Sequence, residues 1–202
     1  MATKLSKGLI AGLVIGGLIL FGIVWMISVR NSLVTNEEQV EQAWSQVENV
    51  YQRRLDLIPN LVKTVQGAAE FEKGTLESVI EARSKASSIQ MDPTNLTEEN
   101  LAAFEQAQSQ VSSALNRLMV VVERYPELKA TQNFSELQAQ LEGTENRIAV
   151  ERKKFTETVK AYNVKVRRFP ANIVASLFGF EKKAYFKAAE GAEKAPEVDF
   201  EF

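Results

Sequence analysis

Carboxylates, guanidinium groups and amides recur beside apolar positions in three parts of this chain. They are Glu48, Asn49, Arg53 and Asp56; then Asn116, Arg117, Glu123 and Arg124; then Glu142, Thr144, Glu145, Asn146 and Arg147. Facing one another between helices, such groups form charge-assisted hydrogen bonds that fix register. Facing outward, they form a site for a ligand or partner. The network reading centres on Arg53, Asp56, Arg117, Glu142, Asn146 and Arg147. It predicts that Arg147→Ala costs about 3 kcal/mol if the carboxylate it pairs with is buried. Lost partner binding at unchanged thermal stability would mark the site reading.

Other chemistries lack their ingredients. The chain has neither histidine nor cysteine. Glu-rich helices invite a di-iron reading, but that site is built from Glu-x-x-His pairs. Zinc hydrolase chemistry, Ser-His-Asp triads, thiolate sites and disulfides fall on the same ground. Carboxylate-only and Ser-Lys chemistry remain. However, the sequence contains no Gly-x-Ser-x-Gly elbow and no phosphate-cradling glycine loop. The expectation is a protein without catalytic, cofactor or metal residues.

The elements that position these side chains are helical. Val40, Trp44, Val47, Tyr51, Leu55, Ile58, Val62 and Val65 form one stripe at steps of three and four. A second runs Leu101, Phe104, Val111, Leu115, Leu118, Val122, Tyr125. A third runs Leu137, Leu141, Ile148, Phe155, Val159, Tyr162, Val166, Phe169. Apolar stripes with this period must pack together. Thr97 is positioned to cap the second helix, and Asn133 with Glu136 resembles a capping box for the third. Phe169-Pro170 ends the last long helix. Pro59 interrupts no stripe, so it predicts a kink that frees the Leu55 carbonyl. Gly143 is expected at a close helix contact.

An unbroken helix from residue 37 to residue 88 would run roughly 78 Å, far longer than the others. A break between Gly67 and Gly74 resolves the mismatch and leaves a short second helix from Thr75 to about Ser88. The predicted fold is therefore all-α: a single N-terminal transmembrane helix followed by an up-and-down four-helix bundle. The alternative is one very long kinked first helix plus two long helices.

The transmembrane assignment rests on the charge-free run from Gly8 to Val29, between Lys7 and Arg30. As a helix it covers roughly 30 Å, the hydrocarbon thickness of a bilayer. A signal peptide would have a shorter apolar core and a small-residue cleavage site, so an uncleaved signal-anchor is expected. Gly8, Gly12 and Gly16 stand at four-residue steps and form a small-xxx-small ridge suited to transmembrane association. Lys4 and Lys7 precede the span and Arg30 follows it, which leans the C-terminal domain towards the extracytoplasmic, periplasmic side. Beyond Arg30, 21 of the 24 Lys and Arg residues face all 26 Asp and Glu. That acidic excess argues against a nucleic-acid surface.

Three strings resemble the LemA family: residues 43–65 (AWSQVENVYQRRLDLIPNLVKTV), 113–155 (SALNRLMVVVERYPELKATQNFSELQAQLEGTENRIAVERKKF) and 162–180 (YNVKVRRFPANIVASLFGF). The resemblance runs from the anchor to about Phe186. It implies a membrane-anchored helical bundle without established catalysis, linked to membrane-protease gene neighbourhoods and to magnetosome membrane formation. Relatives that carry a lipoprotein cysteine would place their bundle outside the cytoplasm. This chain has no such cysteine, so a lipid anchor does not transfer.

The expected organisation is a signal-anchor over 1–30, a LemA-like bundle over 31–186 and a flexible acidic tail over 187–202. Residues 171–186 are read either as a short helix covering one end of the bundle or as an amphipathic element on lipid, with Lys182 and Lys183 towards headgroups. In the tail, Val198, Phe200 and Phe202 alternate before the terminus. They suit β-strand addition to a PDZ domain of a membrane protease, against the plainer reading of an unspecific acidic tail. Two functions follow for a single-pass protein of the bacterial cell membrane. One is a non-enzymatic scaffold that homo-oligomerises and organises or shapes the lipid bilayer. The other is an adaptor or regulatory partner of a membrane protease or transport complex.

Overall fold

The apolar run that begins at Gly8 passes as helix, without interruption, into the first apolar stripe. No glycine or proline stands between Gly22 and Pro59. Thr35 and Asn36 donate their side-chain hydrogens to the carbonyls of Asn31 and Ser32 one turn back, at 3.0 and 2.6 Å. In this computed structural model, which describes residues 7–67 and 72–187, α1 therefore spans Lys7–Gln66. Its 60 residues extend about 90 Å. The chain then forms α2 (Lys73–Ser88), α3 (Glu98–Val122), α4 (Pro126–Lys129), α5 (Gln132–Arg167) and α6 (Ala171–Phe178). The fold is all-α, with no strand among the described residues. The long helices α1, α2, α3 and α5 alternate in direction, and the break after Gln66 falls where the Gly67–Gly74 segment predicted it.

The helix termini follow from local chemistry. Thr97 caps α3 by accepting the Asn100 N–H at 3.2 Å. For α5 the cap is Thr131, which accepts from the Phe134 N–H, and Asn133 lies inside the helix. The capping-box reading of Asn133 is thus displaced by two residues, to a hydroxyl residue of the type that such caps favour. Gly179 ends α6 in the left-handed region at φ +75°, where a side chain would be strained. Pro59 sits inside α1 and has no N–H to offer the Leu55 carbonyl. Arg83 of α2 satisfies that carbonyl instead, its Nε donating at 2.9 Å.

The stripes become two apolar clusters stacked along the bundle. The cluster farther from the N-terminal apolar run joins Leu55, Ile58, Leu61 and Val65 of α1 to Leu76 and Val79 of α2, Val111 to Val122 of α3, and Phe134 and Leu141 of α5. The cluster nearer that run joins Leu33 to Tyr51 of α1 with Leu101 and Phe104 of α3 and Ile148 to Val166 of α5. The 16-residue α2 is too short to wall both clusters. Along the proximal half its place is taken by residues 89–97, α6 and residues 180–187. The Ala184 N–H donates to the Leu96 carbonyl at 2.9 Å and ties the two irregular segments together.

Phe169 departs from its expected place on the third stripe. α5 stops at Arg167, so Phe169 leaves the helical phase and is 75% exposed. Gly143 has open space about it, with no atom within 4 Å of where a Cβ would stand. The expected close helix contact there is absent.

Candidate functional site

A polar layer separates the two apolar clusters. At its centre is Arg54 of α1, 1% exposed. Its Nη1 donates to Ser112 Oγ of α3 at 2.9 Å and to Glu145 Oε1 of α5 at 2.7 Å. Its Nη2 donates to the Gln108 side-chain oxygen at 2.6 Å and to the Gln108 carbonyl at 3.2 Å. The guanidinium also stands over the Tyr51 ring, 5.1 Å from its centroid. Three helices thus meet on one fixed fork of donors, whose geometry only one axial alignment satisfies.

The six residues expected to build this network all lie on the surface. Arg53, Asp56, Arg117, Glu142, Asn146 and Arg147 are exposed. Asp56 accepts from Gln52 and Glu142 from Gln138, each one turn back on its own helix. Arg117 lines a shallow recess between α2 and α3. The prediction for Arg147→Ala loses its premise, because Arg147 faces solvent. The physical reason is angular: neighbouring helical positions lie about 100° apart, so Arg53 and Arg54 point to different surroundings. Of the wider group of polar residues, Thr144 is buried and Glu145 is the partner of Arg54.

Towards the N-terminal apolar run, an aromatic cluster surrounds Trp44. Its ring meets Phe104 and Phe155 edge-on at centroid distances of 5.2 and 5.3 Å, and stacks with Phe186 at 6.2 Å. Arg152 covers the outer face of Phe186 at 4.2 Å and pairs with Glu105 of α3. Phe186 therefore fastens the chain after α6 into the core.

Beside it, Lys183 is 6% exposed, which departs from the reading of residues 171–186 that turns it towards lipid headgroups. Its Nζ pairs with Glu37 at 3.0 Å and donates to the Thr94 carbonyl at 2.8 Å. Asn163 of α5 grips its backbone twice, accepting the Lys183 N–H at 3.0 Å and donating to its carbonyl at 2.8 Å. A cleft of about 700 Å³ opens next to this knot, between residues 94–98, α5 and residues 179–187. Burial raises the Tyr162 phenol nearby above its ordinary value, and the charges of Glu37 and Glu181 push the same way. Burial likewise raises the Glu48 carboxyl.

At the other end, Gly8, Gly12 and Gly16 are exposed along α1 with nothing within 4 Å. Val198, Phe200 and Phe202 lie outside the described residues. Among the described residues, no group of three acidic, histidine or cysteine side chains could hold a metal ion. The two buried cations among the described residues, Arg54 and Lys183, each pair with a carboxylate and donate to a backbone carbonyl.

An exposed apolar helix of span length, continued into a helical bundle with a polar layer, fits the class of membrane-anchored helical-bundle proteins. The chain belongs to the LemA family, whose model matches residues 43–200. That match begins inside α1, past the span, and extends beyond Phe186. The chain is similar to Protein LemA of Metamycoplasma hominis, 26% identical over 161 residues, covering 80% of this chain and 70% of that one. It is also similar to Magnetosome protein MamQ 2 of Paramagnetospirillum magneticum, 27% identical over 174 residues and 78% of this chain. Magnetosome protein MamQ of Magnetospirillum gryphiswaldense is 27% identical over 173 residues and 77% of this chain. The chain spans 64% of the length of each of these MamQ proteins.

Proposed function

We propose that the chain is a non-enzymatic, membrane-anchored scaffold. In this reading it self-associates through its span and organises or shapes the bacterial membrane, with its bundle on the extracytoplasmic side. The observation that carries the reading is the continuity of α1 from Lys7 to Gln66. A span joined to its domain by a flexible linker would leave the domain free to turn. Here, the contact made between two spans sets how two bundles face each other. Gly8, Gly12 and Gly16 supply an open ridge for that contact, and such ridges let helix backbones approach closely in lipid. Relatives named as magnetosome proteins support a role at a membrane. The orientation is supported by Lys4 and Lys7 before the span against Arg30 after it.

The test is the mass of the full chain in a mild detergent, paired with the shape of vesicles that contain it. Wild type is expected as a homo-oligomer that deforms the vesicles. Gly12→Ile is expected to shift it to smaller species while the protein stays in the membrane fraction. Equal oligomer size for both proteins would return the span to the role of a tether. A stoichiometric complex with a different membrane protein would favour the adaptor function instead.

A further inference from the structure

The last turn of α5 comes back down to the level at which α1 leaves the apolar run. Lys165 Nζ lies 3.4 Å from Ser32 Oγ, which sets the two antiparallel helices at one height. Residues following Lys165 therefore descend past Arg30 towards Val29, at about 1.5 Å per helical residue. At that depth the chain places Phe169, 75% exposed, and then turns into α6.

α6 is held along one face and open along another. Val174 and Ala175 are buried against the bundle, while Ile173 and Leu177, one turn apart, are 60% and 68% exposed. Phe178 lies under the Arg30 guanidinium, 5.4 Å from its ring centroid. Since Arg30 is the first charge after the apolar run, α6 sits beside the point where α1 leaves the hydrocarbon. Arg167, Arg168 and Lys182 are exposed around it, with Glu181 the acid among them. An open apolar face at the hydrocarbon boundary, flanked by cations, is the layout of a helix lying in the membrane interface.

We propose that Phe169 and α6 form a foot that rests in the same bilayer that α1 spans. Phe169, Ile173 and Leu177 sink into the acyl-chain boundary, and Arg167, Arg168 and Lys182 meet the phosphates of anionic lipids. The foot would fix the height of the bundle above the membrane, which a single span alone does not. The occupant of the apolar face is lipid rather than a second copy, because the face continues the surface that α1 already presents to the bilayer. The inference rests on α1 being embedded.

The chain has no cysteine, so single labels can be introduced without further change. Full-length Leu177→Cys and Ile173→Cys carry a nitroxide in vesicles of phosphatidylcholine and phosphatidylglycerol. Val120→Cys is the control: it is 69% exposed near the far end of α3. Collision with dissolved oxygen and with a water-soluble nickel chelate then reports depth. The ratio of oxygen to nickel collisions is expected to be several-fold higher at Leu177 and Ile173 than at Val120. An aqueous ratio at Leu177 equal to that at Val120 overturns the foot. So does a shielded label whose spin–spin coupling disappears on dilution with unlabelled chain, since a second copy then covers the face. Co-flotation of the wild type with the vesicles tests the anchor separately. A protein that floats while its Leu177 label remains aqueous refutes the foot alone.

Discussion

Arg54 concentrates the energetics of the bundle in one side chain. Its charge is buried and its fork holds α3 and α5 at once, while Glu145 remains 46% exposed at its side chain. Removing one member of a buried pair strands the other members, whereas apolar replacement of the set relieves them. Arg54→Ala is therefore expected to lower unfolding stability by about 3 kcal/mol. Arg54→Met combined with Gln108→Leu should recover most of that loss, as read from thermal or denaturant unfolding in detergent. A recovered protein with altered helix packing would mean that the layer sets alignment rather than strength. Tyr162 gives a second expectation. Its phenol is held protonated in the fold above its ordinary value of 10.0. Above about pH 10 the unfolded chain then binds fewer protons than the native one, and stability falls as pH rises. Below that pH the residue contributes nothing to the slope. Tyr162→Phe should flatten the alkaline limb of a plot of stability against pH.

Among the helices, the informative joint is Pro59 with Arg83. Proline deprives the Leu55 carbonyl of its partner within α1, and the Arg83 guanidinium of α2 supplies one from outside. The defect in one helix thus specifies where the next must dock. Arg83→Met is expected to cost about 1.5–3 kcal/mol in the native background, the range for a hydrogen bond to a charged group. In a Pro59→Ala background the restored N–H can serve the carbonyl, and the same substitution should cost less than half as much. Equal costs in the two backgrounds would show that Arg83 acts through something else. The cap of α3 gives a simpler case: Thr97→Ala should lose about 1 kcal/mol, measured the same way.

Across the whole molecule, the helices, their break after Gln66 and the apolar faces were legible in the sequence, because period and glycine placement are local. The polar layer was also written there, though less plainly. The second stripe steps seven residues at once from Phe104 to Val111, and the third does the same from Leu141 to Ile148. Gln108 occupies the first gap, Thr144 and Glu145 the second, and Arg54 stands three residues after Tyr51 and four before Ile58. A gap in one stripe looks like noise; matching gaps at one height become visible only once the helices are aligned. Lys183 and Phe186 carried no comparable signal. Their burial depends on residues 180–187 crossing to Leu96 and Trp44, a long-range path that no local pattern encodes.

The unbroken course of α1 also has a mechanical side. From Arg30 to Gln66 the helix continues about 54 Å past the end of its apolar run. Spans tilt when their apolar length and the hydrocarbon thickness differ. With no joint at the surface to absorb it, a tilt of about 10° would sweep the far tip sideways by roughly 9 Å. Bilayer thickness, a property buried among acyl chains, would thereby become the position of a pointer in water.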